Sequence, residues 1–138
     1  MLKFVTTEEG PAVLLLAVDP NYPNEPKTDF PFLLAKLIRL QTNGDYVLFH
    51  FPKDIRISVY IRIGSAQQQI NTVQPRLLVR LARGHVANRK KIRKYNPING
   101  NPVTADNFEI NVEPAYKKVY DSLFIGTRQT ELQLTEEE

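Results

Sequence analysis

Arg56, Arg62, Arg76, Arg80, Arg83, Arg89, Lys90, Lys91, Arg93 and Lys94 all fall between Asp54 and Asp106, a stretch with no acidic residue. A positive field that concentrated attracts polyanions, and phosphate is the commonest polyanion in a cell. Residues 1–50 carry 4 basic and 6 acidic side chains, residues 51–100 carry 11 and 1, and residues 101–138 carry 3 and 8. The net charge of +3 therefore conceals a middle of +10 held between ends of −2 and −5. The chemistry this pattern offers is the gripping of a sugar-phosphate backbone, with displacement of condensed counterions and little reading of sequence.

Other chemistry is thinly represented. The histidines His50 and His85 stand on separate elements, and neither has an Asp or Glu at a metal-ligand spacing. Both read as surface or core-edge side chains. Asp106, Glu109 and Glu113 are close in sequence and of the type that holds Mg²⁺, but no lysine follows at a nuclease-like spacing, so they read as a solvated strand face. Gly84, Gly100 and Gly126 are isolated and form no phosphate loop. The absence of cysteine excludes disulfides, thiolate metal sites and a cysteine nucleophile. The expectation is a non-enzymatic protein with no metal and no cofactor.

Elements must now be found to carry the cations. From Pro75 the spacing predicts a helix over 75–95. At 100° per residue Arg80, Arg83, Lys90, Lys91 and Lys94 fall within about 60° of Arg76, and Leu77, Leu78, Leu81, His85, Ile92 and Tyr95 take the opposite half. Arg89 and Arg93 lie off that stripe, and Gly84 interrupts it. The clearest strand is Ile55 to Ile63, whose isoleucines and Val59 alternate with Arg56, Ser58, Tyr60 and Arg62. Its outer face adds an aromatic to the cations, as single-strand binders do. The predicted nucleic-acid-binding set is thus Arg76, Arg80, Arg83, Lys90, Lys91 and Lys94 from the helix, with Arg56, Tyr60 and Arg62 from the strand.

The remaining elements follow from pattern and punctuation. Leu2 to Val5 and Ala12 to Val18 read as strands, and Asp19 to Lys27, with Pro20, Pro23 and Pro26, as a loop. Residues 33–41 read as a strand. With Tyr46 to Phe51 after the Asn43-Gly44 turn, and with 55–63 after Pro52-Lys53-Asp54, they form an antiparallel meander. Phe108 to Val112 alternates as a short strand. Pro114 opens a helix over 115–125, with Tyr116, Val119, Tyr120, Leu123 and Phe124 on one face and Gly126 in the C′ position.

The expected fold is α+β, a mainly antiparallel sheet with two helices packed on it at about 75–95 and 115–125. It forms one domain over 1–138, with a flexible acidic tail at about 131–138. No apolar run approaches the roughly 20 residues of a membrane span. The N-terminus, with Glu8 and Glu9 soon after Met1, does not resemble a secretory signal. A cytoplasmic or otherwise non-secreted protein is expected. The leading function is a small nucleic-acid-binding protein, with DNA or RNA left open. The alternative is a structural subunit of a larger assembly, such as a virion or phage head or tail component, whose basic helix docks on an acidic neighbour, with itself or other subunits as partners.

Overall fold

The computed structural model describes residues 1–124. Strands β1 (Lys3–Thr7), β2 (Gly10–Ala17) and β3 (Thr28–Leu33) make an antiparallel sheet in that order. β2 is the unbroken apolar run, and in the middle of its sheet it buries Ala12, Val13, Leu15 and Ala17. The proline-rich segment 18–27 is the exposed loop between β2 and β3.

A five-stranded antiparallel sheet is built from β4 (Arg39–Asn43), β5 (Tyr46–Phe51), β6 (Ile55–Val59), β7 (Leu78–Ala82) and β8 (His85–Asn88). Its spatial order is β6-β5-β4-β8-β7. The first three strands form the expected meander, but its first strand is Arg39–Asn43 and not residues 33–41, since Leu33 ends β3 and Leu34–Lys36 form a 3₁₀ turn. Asn43 pairs with Tyr46 across Gly44-Asp45, and Gly44 has φ 61°, where a side chain would cost energy. Helix α1 (Ile63–Val73) follows β6, and a short hairpin of β9 (Ile92–Tyr95) and β10 (Pro102–Thr104) follows a 3₁₀ turn at Arg89–Lys91. A second helix, α2, occupies residues 114–124.

Two cores flank the five-stranded sheet. One face packs Leu40, Val47, Phe49, Phe51, Leu78 and Val86 against Val13 and Leu15 of β2 and against Ile63, Ala66 and Ile70 of α1. The other face, over β7 and β8, packs Val79, Leu81 and Ala87 against Ile110, Val112, Tyr120 and Phe124. β7 and β8 are therefore apolar on both sides.

The α+β class, the antiparallel sheets and the presence of two helices agree with expectation. The place of the first helix does not. Residues 75–95 hold β7, a turn at Arg83-Gly84, β8, the 3₁₀ turn and β9, while the helix lies earlier, at Ile63–Val73. Burial on both faces removed the period of two that would have marked β7 and β8. Ile61 and Ile63, which extend the β6 alternation on paper, instead lead into α1. Phe108 to Val112 is not a strand but an extended segment held by a bridge from Glu109 to Val103 and by the Ile110 amide donating to the Pro102 carbonyl at 2.9 Å. Gly126, the end of the second helix and the acidic tail at 131–138 lie outside the described residues.

The β5–β6 turn generates a prediction. Lys53 and Asp54 have φ values of 65° and 59°, successive left-handed positions that favour Gly or Asn. Asp54→Gly should raise stability by about 0.5–1 kcal/mol. Urea unfolding would read this as a higher midpoint at unchanged slope.

Candidate nucleic-acid interface

Strand direction sorts the cations between two ends of the five-stranded sheet. The turns at Gly44-Asp45 and Arg83-Gly84 adjoin one another, the Thr42 amide donating to the Gly84 carbonyl at 3.0 Å. The start of α1 lies at that same end, which is called the hairpin end below. β4 runs toward this end from Arg39, which pairs with Ala87, so the opposite end collects the turn at 52–54, the α1–β7 link and the 3₁₀ turn.

The nine residues of the expected set do not form one surface. Arg62, Arg80, Arg83 and Tyr60 meet at the hairpin end, where they line one cleft. Arg76 and Lys90 line a cleft of about 390 Å³ at the opposite end. Lys91 lines another of about 450 Å³ there with Lys53 and Arg93. Lys94 is exposed on β9, and Arg56 is exposed near the start of β6. The helical stripe that joined Arg76, Arg80, Arg83, Lys90, Lys91 and Lys94 does not exist, because its carrier is not a helix.

The second end is the more cationic. It gathers Lys53, Arg76, Lys90, Lys91 and Arg93; Asp54 and Asp106 line the same end, but Asp106 pairs with Arg39, and among the described residues no carboxylate lies within ion-pair distance of any of the five cations. Spacing overlooked Lys53, Arg89 and Arg93. The density of Arg89–Lys94, broken only by Ile92, was the signal that would have found the latter two.

Asn88 sets the position of this cationic run. It is completely buried. Its side-chain amide donates to the Leu37 carbonyl at 2.6 Å, and its Oδ1 accepts from the Lys90 amide at 2.9 Å, capping the 3₁₀ turn. Its own amide donates to the Ile38 carbonyl, and the Arg89 amide to the Leu77 carbonyl, each at 3.0 Å. Arg89 is turned inward. Its guanidinium lies 5.8 Å from the Phe124 ring centroid and donates to the Arg76 carbonyl at 3.4 Å, while Lys90 and Arg93 are exposed and Lys91 is half-buried.

Behind the cationic end lies a polar network. Arg39 Nε donates to Asp106 at 2.8 Å, its Nη1 donates to Gln41 at 3.0 Å, and His50 Nε2 lies 3.1 Å from the same Gln41 oxygen. The Arg39 guanidinium covers the Phe108 ring at 3.9 Å, and His85 stacks on that ring at 5.1 Å. Burial, and then the Arg39 charge, push His50 down to about 4. The same two causes lower His85. Burial raises the Asp106 carboxyl, but hydrogen bonds from Thr104 and Arg39 outweigh it and hold the carboxyl below its ordinary value. The network is thus an ionised pair beside two neutral imidazoles.

The three carboxylates singled out in the sequence have separate partners. Asp106 takes Arg39, Glu109 accepts from Asn96 at 2.8 Å, and Glu113 accepts from the Arg83 amide. The Asn96 bond is also the main reason the Glu109 carboxyl sits below its ordinary value. Among the described residues no group of three or more His, Asp or Glu side chains is arranged to hold a metal ion, and no helix is long and apolar enough to cross a membrane.

No family model and no curated protein matches the sequence. Among solved structures, the fold is similar to the LytTr DNA-binding domain of a protein from Bacillus cereus, with a TM-score of 0.58 at 12% identity over 89% of this chain and 95% of that one. The likeness is one of fold.

Two predictions follow from the buried polar groups. Asn88→Ala removes the cap and leaves the Leu37 carbonyl without its donor, so it should cost about 2–3 kcal/mol in denaturant unfolding. His50 titrates near 6.5 when unfolded and near 4 when folded, so within that window only the unfolded chain takes up the proton. Its contribution is complete above pH 6.5 and is lost as pH falls toward 4. His50→Gln should therefore flatten the fall in melting temperature over that window, and calorimetry of both proteins across it checks the sign.

Proposed function

We propose that this chain is a non-enzymatic nucleic-acid-binding module that takes duplex DNA on its cationic end. Lys53, Arg76, Lys90, Lys91, Arg93 and Lys94 contact backbone phosphates, with Arg56 at the margin. The observation that carries this reading is the gathering of cations from three separate loops at one end of the sheet without acidic partners among the described residues. The fold's likeness to a domain described as DNA-binding supports it and favours DNA over RNA.

The mechanism is electrostatic. Each engaged cation releases counterions condensed on the duplex, so affinity falls steeply with salt. Loops and strand β9 rather than a helix present the charges, and the buried Asn88 anchor fixes the turn before binding, which lowers the ordering cost. Phosphate contacts set orientation and carry no base identity.

Six contacts give a slope of log K against log salt near −5, from roughly 0.9 per phosphate. Replacing Lys90, Lys91 and Arg93 by Gln should make that slope shallower by about 3 units and leave the melting temperature nearly unchanged. Fluorescence anisotropy on a labelled duplex at several salt concentrations measures the first, and calorimetry the second. A wild-type slope shallower than about −2 would sink the proposal. If the purified protein instead carries no nucleic acid and elutes as a large homo-oligomer, the assembly-subunit reading takes its place.

A further inference from the structure

The hairpin end carries a cleft that the DNA reading does not use. It is an open cleft of about 660 Å³, within the size range of small-molecule sites, and brings together three kinds of chemistry. Arg62, Arg80 and Arg83 supply cations, Tyr46 and Tyr60 supply aromatic faces, and Asp45 supplies one carboxylate.

The tyrosines and Arg80 are positioned by contacts, and Arg62 and Arg83 are left without carboxylate partners among the described residues. Tyr46 and Tyr60 meet edge to face, with centroids 5.5 Å apart, and Tyr60 is 77% exposed, an aromatic ring left open to solvent beside the cations. The Arg80 guanidinium donates to the Arg83 carbonyl at 2.6 Å, and its Nη1 stands 3.5 Å from where a Cβ on Gly64 would lie, over the first turn of α1. That turn has no acidic residue, and Arg62, at its N-cap, makes no side-chain cap bond. The Arg83 amide takes up the Glu113 carboxylate, and no carboxylate pairs with the guanidinium of Arg62, Arg80 or Arg83 among the described residues.

We infer that this cleft binds a 5′-phosphorylated nucleoside of mononucleotide size, at a site separate from the DNA-binding end. The phosphate sits between Arg62 and Arg83, where charge-assisted hydrogen bonds are strongest. The base stacks on Tyr60, and the Asp45 carboxylate accepts hydrogen bonds from the ribose hydroxyls. The two ends stand apart by the length of a five- or six-residue strand, roughly 16–20 Å. The inference does not depend on the DNA reading.

Isothermal titration calorimetry of the full chain with adenosine 5′-monophosphate tests it, with adenosine and inorganic phosphate as separate titrants. The expected result is a dissociation constant below about 1 mM for the nucleotide, with both fragments at least tenfold weaker. Replacing Arg62 and Arg83 together by Gln should weaken the nucleotide at least tenfold, and Tyr60→Ala should weaken it while leaving inorganic phosphate unchanged. Duplex binding measured on the Arg62/Arg83 variant should equal that of the wild type. The inference is overturned by absence of nucleotide heat, by nucleotide binding that ignores the arginine substitutions, or by phosphate alone binding as tightly as the nucleotide. Loss of duplex binding in that variant overturns it too, since the cleft would then belong to the DNA surface. Failure of the Lys90, Lys91 and Arg93 experiment leaves it untouched.

Discussion

The pairing of β8 with β4 is the constraint on which the rest of the molecule depends. It joins the early meander of β4, β5 and β6 to the later β7–β8 hairpin, making one sheet with a core on each side. Asn88 closes that seam at its end. A buried amide with no partner would cost more than the bonds it makes are worth in water, so its place in the fold is strongly specified. The bonds that satisfy it bind the Leu37 region to the turn bearing Lys90 and Lys91. Core formation and display of the cations are thus consequences of the same contact.

The arrangement of charge obeys the same logic. Apolar packing on both faces of β7 and β8 leaves little room for cations along the strands, so most of them emerge at the ends, in turns. Arg39 is the buried one, 5% exposed, and it is tolerated because Asp106, Gln41 and the face of Phe108 together replace water. A neutral His50 beside it adds no second positive charge to a buried site.

Much of the fold could be read from residue order, and the reasons are local. Asn43-Gly44 and the alternation from Ile55 to Val59 are short-range signals with short-range causes, and the meander they implied is present. Pro114 and the spacing from Tyr116 to Phe124 marked α2 for the same reason. The segment after Pro75 failed because Leu77, Leu78, Val79, Leu81, Ala82, Val86 and Ala87 are all buried, which erases the alternation of a strand and lets scattered arginines imitate a helical stripe. α1 was hidden by the reverse effect, since only Ile63, Ala66 and Ile70 of its residues are buried, and Gln and Asn fill half of the remainder. For the site, the abundance of cations was legible, but their division between two ends was not. That division follows from strand pairing, which sequence spacing does not encode.

The separation in the chain of β4 from β8 has a kinetic consequence. Arg39 and Ala87 are partners in the sheet although a helix and three strands lie between them, so a large loop must close before the seam yields any stabilisation. The meander needs no such closure and can form first, within microseconds for each hairpin. The Asn88 bonds to the Leu37 and Ile38 carbonyls can form only once the two halves have met, which places them late on the folding path. A chain still emerging from the ribosome therefore lacks the ordered cationic turn until residues past 90 are free to fold back. Until then its positive charges are carried on unstructured polypeptide, without the fixed spacing of the finished protein.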